Sequence, residues 1–250
     1  MHNIENILSR FNKLSLEEMN SVKLMNRVDV KYVLHYNDLE KILETLSLDY
    51  EILEVNNSLN SNYETSYFDT GNYEMYNIHH NGKANRHKVR TRTYKDSNVS
   101  FVEVKYKNNK KKTAKTRILR ENNTIEFSKK EKKFITDKSP YNPETLKTAL
   151  NNHFKRITLV NRKDVERVTI DTDITFIKDD NKIKMDNMVI CEIKKLPHNY
   201  LSIMEYALRK HHIKVFRISK YCLGSYLCNP DVKLNLFKEK YRYINKIITR

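Results

Sequence analysis

Three glycines, four prolines and no tryptophan stand among 250 residues. With so few chain breakers no stretch reads as a flexible linker, and no internal repeat is present. One domain spanning residues 1–250 is the expected organisation. The three cysteines, Cys191, Cys222 and Cys228, are odd in number and form no CxxC pair. That argues against a disulfide framework or a cysteine zinc site and suits a reducing compartment. No run approaches the roughly 20 apolar residues of a spanning helix, and no apolar leader with a cleavage site opens the chain. A cytoplasmic protein is expected, at most peripheral to a membrane. HExxH, Walker and GxSxG motifs are also missing, which removes the signatures of zinc proteases, P-loop enzymes and serine hydrolases.

What remains is a folding composition, 39% hydrophobic and 10% aromatic, with a formal net charge of +16. Such a surplus calls for an acidic partner: nucleic acid, an anionic membrane or phosphorylated molecules. Where the charge sits is more informative than its total.

Helical spacing of Ile4, Ile7, Leu8 and Phe11, with Ser15 and Glu18 placed as a capping box, predicts an N-terminal helical segment over about 4–20. Asn37 or Asp38 is the expected cap of a helix to about Leu48, and MYNIHHNG reads as a helical turn closed by Gly82. Residues 129–153 read as two helices broken at Pro140 and Pro143. Further helices are expected near 199–212, near 220–228 and over about 232–249. Alternating segments predict strands at 26–34, 65–70, 88–94, 101–107, around Lys115 and Arg117, and in TLVNR, ERVTIDTD, ITFIK and MVICEIK. Eight or nine mostly antiparallel strands with inserted helices make an α+β fold.

The strands place charge on one face and apolar residues on the other. Arg27, Lys31, Lys88, Arg90, Arg92, Lys105, Lys107, Lys115, Arg117, Arg167 and Lys194 share the charged faces with only Asp29, Glu103, Asp171 and Glu192. An ordinary sheet would turn that face to water. Here the charges recur in strand after strand and include many arginines, which grip phosphate bidentately. Helices 4–11, 38–48 and 199–212 also need an apolar surface to cover. A β-barrel with its apolar face outward meets all three observations. Its interior has room for side chains or one slim ligand. Unpaired cations in that space are costly, so a narrow polyanion is required. A linear phosphate chain fits, whereas a nucleic-acid duplex does not.

The segments NRVDVKY, YFDT, KVRTRTY, FVEVKYK, KTR, ERVTIDTD, EIK and SKYCLG follow one another between residues 26 and 224. In this order they resemble the polyphosphate polymerase domain of the vacuolar transporter chaperone (VTC) family, within the triphosphate tunnel metalloenzyme (CYTH-like) superfamily. The resemblance implies an eight-stranded antiparallel β-barrel tunnel. It also implies binding of ATP with Mn2+ or Mg2+, and transfer of the terminal phosphoryl group to growing inorganic polyphosphate. Lys31, Arg90, Arg92, Lys105, Lys115, Arg162, Arg167, Arg217 and Lys220 fall on the family's phosphate-binding positions. All of these except Arg217 are expected to carry catalysis, and Arg117 and Lys194 join the phosphate-binding set from the same charged faces. Glu192 falls on the metal-binding glutamate, and Glu103 is a second acid of that kind. One departure is the first strand, where Arg27, Asp29 and Lys31 replace the alternating glutamates of many triphosphate hydrolases. Fewer acids and more clamps favour the polymerase branch. The regulatory SPX domain and membrane segments of the fungal proteins are not seen in this sequence, so inositol-phosphate control and membrane delivery, where they occur, are expected to involve other chains, among them a separate membrane partner protein.

No nucleophile is evident, which suits phosphoryl transfer by positioning and charge stabilisation. Cys191 alternates onto the apolar face, as a packed thiol. His79–His80 and His211–His212 read as packing or solvated histidines. Lys110–Lys111–Lys112 reads as a solvated hairpin tip or, functionally, as a collector of polyphosphate. The basic C-terminal helix (Lys233, Lys238, Lys240, Arg242, Lys246, Arg250) reads as a solvated face or an anionic-membrane contact. Two alternatives to the polymerase stand: a triphosphate hydrolase on the same tunnel, and a non-catalytic polyphosphate- or nucleic-acid-binding module. A single-strand binder would want aromatics beside its bases. Val89, Val102, Val104 and Tyr106 lie opposite the charges instead, so no nucleic acid is expected.

Overall fold

The computed structural model describes residues 4–21, 27–110, 112–120, 124, 126–197 and 201–250. Among these, the strands are β1 (Asn12–Leu14), β2 (Val28–His35), β3 (Glu51–Leu53), β4 (Ser61–Asp69), β5 (Arg86–Tyr94), β6 (Val99–Lys107), β7 (Thr113–Arg120), β8 (Lys147–Asn161), β9 (Glu166–Lys178), β10 (Asn181–Lys184) and β11 (Met188–Lys195). The helices are α1 (Ile4–Leu8), α2 (Leu16–Ser21), α3 (Tyr36–Glu44), α4 (Glu74–His80), α5 (Lys129–Lys138), α6 (Ile203–Lys210), α7 (Lys220–Cys228) and α8 (Lys238–Ile248). No helix among the described residues is long and apolar enough to cross a membrane.

Eight strands run in the order β2-β11-β9-β8-β4-β5-β6-β7, every neighbouring pair antiparallel. The α+β class and the antiparallel strands match the sequence reading; the closed barrel needs correction. Among the described residues β2 and β7 do not pair, and the sheet stays open. One reason lies on β2. Its free edge is taken by the segment before α7, through a Tyr32–Val215 bridge and a 2.7 Å hydrogen bond from Phe216 N–H to the Lys31 carbonyl.

The inside-out packing is present. Tyr32, Cys191, Ile193, Ile170, Val168, Ile157 and Leu159 form the outer, convex face of β2, β11, β9 and β8, buried under α1, α3 and α6. Cys191 sits in this layer, and burial pushes its thiol far above the ordinary range. The inner face is less uniform than expected. Tyr63, Tyr67, Leu150, Phe154, Ile190 and Val33 on the charged side pack against α7 and α8, so an apolar plug shares the concave face with the charges. Gly224 lets α7 sit there: a Cβ on it would overlap the side chains of Leu150 and Phe176.

Several boundaries differ from the sequence reading. Helix α3 is capped by His35, whose Nδ1 accepts from Asn37 N–H at 3.1 Å, not by Asn37 or Asp38. ERVTIDTD and ITFIK form one strand, β9, bent at Asp173, whose φ of +50° lies opposite a register shift in β8. The second helix expected within 129–153 is replaced from Lys147 onward by β8. Lying between β4 and β9 with residues buried on both faces, β8 lacks the polar–apolar alternation that marks a half-exposed strand. The N-terminal helical segment expected over about 4–20 is interrupted by β1, which pairs with β3, leaving the short helices α1 and α2. The Ser15–Glu18 capping box opens α2, and the Gly82 turn (φ +70°) is as expected.

Candidate anion-binding site

Pairing register determines which charges meet. Lys88 lies opposite Lys105, which lies opposite Lys115; Arg90 lies opposite Glu103, which lies opposite Arg117. Across the sheet, Lys31 faces Glu192, Asp29 faces Lys194, Lys194 faces Arg167, and Arg156 faces Asp171. Direct cross-strand partners share a face. The sheet curls enough for its two ends to interact, since Lys105 on β6 feels the charges of Glu192, Lys31 and Asp29. The open sheet is therefore tunnel-like around one charged cluster.

Three carboxylates organise the cluster, each between two bases. Glu103 pairs with Arg90 at 2.7 Å and Lys115 at 2.5 Å. Asp171 accepts a bidentate grip from Arg156, at 2.5 and 2.8 Å, and a contact from Lys220. Glu192 pairs with Lys31 through Oε1 and with Lys194 through Oε2, the latter at 3.3 Å. Burial opposes ionisation of all three acids, yet the neighbouring cations outweigh it and hold each well below the usual carboxylate range, Glu103 at about 2.

Three further cations have no carboxylate within ion-pair distance among the described residues: Lys88, Arg92 and Lys105. Arg92 is only 7% exposed, bonds Thr65 Oγ1 at 3.3 Å and lies over the rings of Tyr63 and Phe154, each at 5.8 Å. Lys88 donates to Ser219 Oγ at 2.7 Å, at the N-cap of α7. Burial lowers Lys88 to about 7 and Lys105 to about 8. Like charges placed directly opposite on a sheet are destabilising. Of the lysine row across β5, β6 and β7, Lys115 has Glu103, while Lys88 and Lys105 face each other without the counter-charge that an anion would supply.

Lys31, Arg90, Arg92, Lys105, Lys115, Lys194 and Lys220 are thus brought together. Arg117 is exposed at the rim over Phe101, at 4.3 Å. Arg162, Arg167 and Arg217 stand apart from these contacts. Arg162 is exposed and engaged by Glu51 at 2.5 Å and Glu18 at 3.3 Å; Arg167 donates to the Met19 carbonyl at 2.8 Å; Arg217 is exposed on the segment along β2. Lys110 and Lys112 are exposed, and Lys111 lies outside the described residues. His79 is packed rather than solvated: its Nδ1 lies 3.0 Å from Cys222 Sγ, and burial with nearby Lys88 lowers it to about 2.

The sequence reading put Lys88 and Asp171 on the charged faces without a site role, and did not single out Arg156 or Ser219. Arg156 fell between the expected helix ending at 153 and the strand starting at 158, although Phe154, Arg156 and Thr158 already alternate. Aromatic rings also share the charged face, contrary to the sample of residues read on β5 and β6. Tyr63 and Phe154 stack at 5.2 Å beneath Arg156, and the Lys220 ammonium lies 4.1 Å from the Phe154 centroid. Both rings are more than nine-tenths buried and serve as a floor for cations, not as open stacking platforms.

The lowered lysines predict opposite pH trends. Lys88 and Lys105 titrate near 7 and 8 when folded, against 10.5 ordinarily. Between those values the unfolded chain holds protons that the folded chain has lost, so the free protein gains stability as pH rises from about 7 to 10. Tripolyphosphate affinity falls over the lower part of that window, as the two cations discharge. Calorimetric titration across pH 6.5–9 checks this, and Lys105→Arg, which keeps its charge, should flatten the binding curve. An unchanged slope in that variant rejects the assignment to Lys105.

Similar solved structures include HpAC1 from Hippeastrum, described as an adenylyl cyclase candidate with a dominant triphosphatase activity, 11% identical at a TM-score of 0.49 over 80% of this chain and 95% of that one. A Bacillus halodurans protein described in adenylate cyclase terms is 11% identical, at a TM-score of 0.48 over 78% and 96% of the two chains. The PH1819 protein of Pyrococcus horikoshii OT3 is 13% identical, at a TM-score of 0.45 over 86% and 99%. No curated protein matches the chain. The family model of the VTC domain matches residues 26–229, from the start of the β2 segment to the end of α7. The chain belongs to the VTC domain family.

Proposed function

We propose that this chain is a polyphosphate polymerase, transferring the γ-phosphoryl group of ATP to the end of a growing inorganic polyphosphate chain. The observation that carries the reading is the set of cations without acid partners, Lys88, Arg92 and Lys105, inside a cluster that already holds three ion-paired carboxylates. A cluster built this way favours a slim, highly charged anion, and family membership makes a phosphate chain the first candidate.

Arg90, Arg92, Lys105 and Lys115 on β5, β6 and β7 would hold the β- and γ-phosphates from one side, with Lys31, Arg156, Lys194 and Lys220 on the other. A terminal phosphate oxygen of the chain attacks the γ-phosphorus; the new P–O bond lengthens the chain by one unit while the β–γ bridging bond breaks and ADP leaves. That oxygen is already anionic near neutral pH, so no general base is required. The cations stabilise charge on the equatorial oxygens without reorganising, and this is the main source of rate in phosphoryl transfer. Among the described residues no group of three or more His, Cys, Asp or Glu could form an all-protein metal cage. Glu192 fits as the single hard-oxygen ligand of a divalent ion that brings phosphate and water oxygens with it. Such an ion would neutralise β- and γ-phosphate charge.

Incubation of purified protein with ATP and Mn2+, followed by sizing on a gel and orthophosphate assay, tests the reading. A ladder of lengthening polyphosphate is expected, with ADP released in step. Orthophosphate without a ladder would replace polymerase by hydrolase; neither product would leave a binding module.

A further inference from the structure

Glu192 has cations near it from several strands, although β9 places Thr169 opposite it and Asp171 diagonally. Its own strand β11 supplies Lys194, β2 supplies Lys31, β8 supplies Arg156, and Lys105 interacts from β6. Two of them occupy both carboxylate oxygens, Lys31 on Oε1 and Lys194 on Oε2. The other acid beside Lys194 by register is Asp29, which pairs with Arg27 at 3.2 Å. A divalent ion approaching the free protein thus finds each oxygen of Glu192 capped by an ammonium, and the neighbouring acids Asp29 and Asp171 are themselves ion-paired, with Arg27 and with Arg156 and Lys220. Hard cations need several oxygen donors, and positive neighbours repel them.

We propose that Lys31 and Lys194 make divalent-metal binding at Glu192 conditional on a bound phosphate chain. The inference rests on the reading that the concave face takes such a chain. A phosphate chain gives both lysines a competing acceptor, reverses the sign of the local field and brings oxygens that can complete the ion's coordination. Metal and chain then bind as one unit, and by linkage the ion tightens the chain by the same factor that the chain tightens the ion. The two lysines would so keep the free protein from filling its site with metal alone.

The probe is Mn2+, followed by its free-ion electron paramagnetic resonance signal and by water proton relaxation, which rises when the ion tumbles with protein. Free wild-type protein should take up little Mn2+ at millimolar metal. Adding tripolyphosphate should produce a protein-bound ternary complex that Glu192→Gln loses. Lys31→Met with Lys194→Met should bind Mn2+ without phosphate at least about tenfold more tightly than wild type. Circular dichroism checks that variant's folding, and Lys31→Gln alone, expected to shift in the same direction, serves if the double variant does not fold. Tight Mn2+ binding by free wild type that Glu192→Gln removes overturns the proposal, as does wild-type affinity in a folded lysine variant. Metal-free calorimetry with tripolyphosphate separates the two readings. If that ligand fails to bind, the phosphate-chain function is rejected, while metal uptake by free wild type and the lysine variants still decides whether the clamp exists.

Discussion

Arg156→Ala is expected to lower the melting temperature by about 10 °C and to abolish tight tripolyphosphate binding. Arg156 makes two hydrogen bonds to Asp171, whose side chain is 4% exposed, and its guanidinium lies 5.1 and 5.2 Å from the ring centroids of Tyr63 and Phe154. Removing one member of a buried ion pair costs about 3–5 kcal/mol, because the remaining charge stays desolvated. In a protein of this size each kcal/mol corresponds to roughly 2–4 °C. Lys220 still touches Asp171, so the loss should sit near the lower end of that product. The cause can be isolated by a double-mutant cycle with Asp171→Asn. If the orphaned carboxylate is responsible, Arg156→Ala should cost about 1–3 kcal/mol less in that background. Additive effects would mean that the stacking on Tyr63 and Phe154, not the ion pair, holds this part of the site. Binding should remain weak in both backgrounds, since the cation is absent from each.

Arg156 also marks where the sequence stopped being legible. The strands that carry Arg90, Glu103, Lys31 and Glu192 have one face under helices or loops and one face charged, so period-two alternation exposed them. Their residues meet in the structure much as the alternation implied. Strand β8 is central, and its inward residues Leu150 and Phe154 lie against α7 while Ala149, Asn152, Ile157 and Leu159 are buried as well. With buried residues on both faces and a register shift between His153 and Lys155, the pattern is lost where Arg156 sits. The family resemblance named Arg162, six residues further on, and in the structure that side chain is exposed and held by Glu18 and Glu51. The plug was hidden for a related reason. Helices near 220–228 and over about 232–249 are expected from the sequence, but nothing in one sequence says which face of a sheet a helix will cover. The open edge was equally hidden, because hydrogen bonding of β2 by Val215 and Phe216 involves no side-chain pattern at all.

Gly224→Ala is the substitution whose sign tests the plug. In a helix with room around it, alanine would replace glycine with a gain of about 1 kcal/mol. Helix α7 has no such room: a Cβ at this position would overlap the side chains of both Leu150 and Phe176, and both are almost wholly buried. Overpacking a filled core costs about 1–3 kcal/mol, so the net change should be destabilising and larger still for valine. The effect should also reach the site. The first turn of α7 carries Lys220 to Asp171, and its cap Ser219 takes the bond from Lys88. Pushing the helix off the sheet draws both contacts away from the cluster. Tripolyphosphate affinity should therefore fall together with stability, and for Gly224→Val binding should be lost even at temperatures where the sheet remains folded. Leu150→Ala combined with Gly224→Ala removes one of the two overlaps, leaving that with Phe176, and should recover part of the binding relative to Gly224→Ala alone, despite the cavity it leaves elsewhere. Thermal melts and calorimetric titration of the three variants decide the matter. A melting temperature that rises with Gly224→Ala would mean that α7 does not press on the concave face, and that Lys220 reaches the charged cluster by some other route.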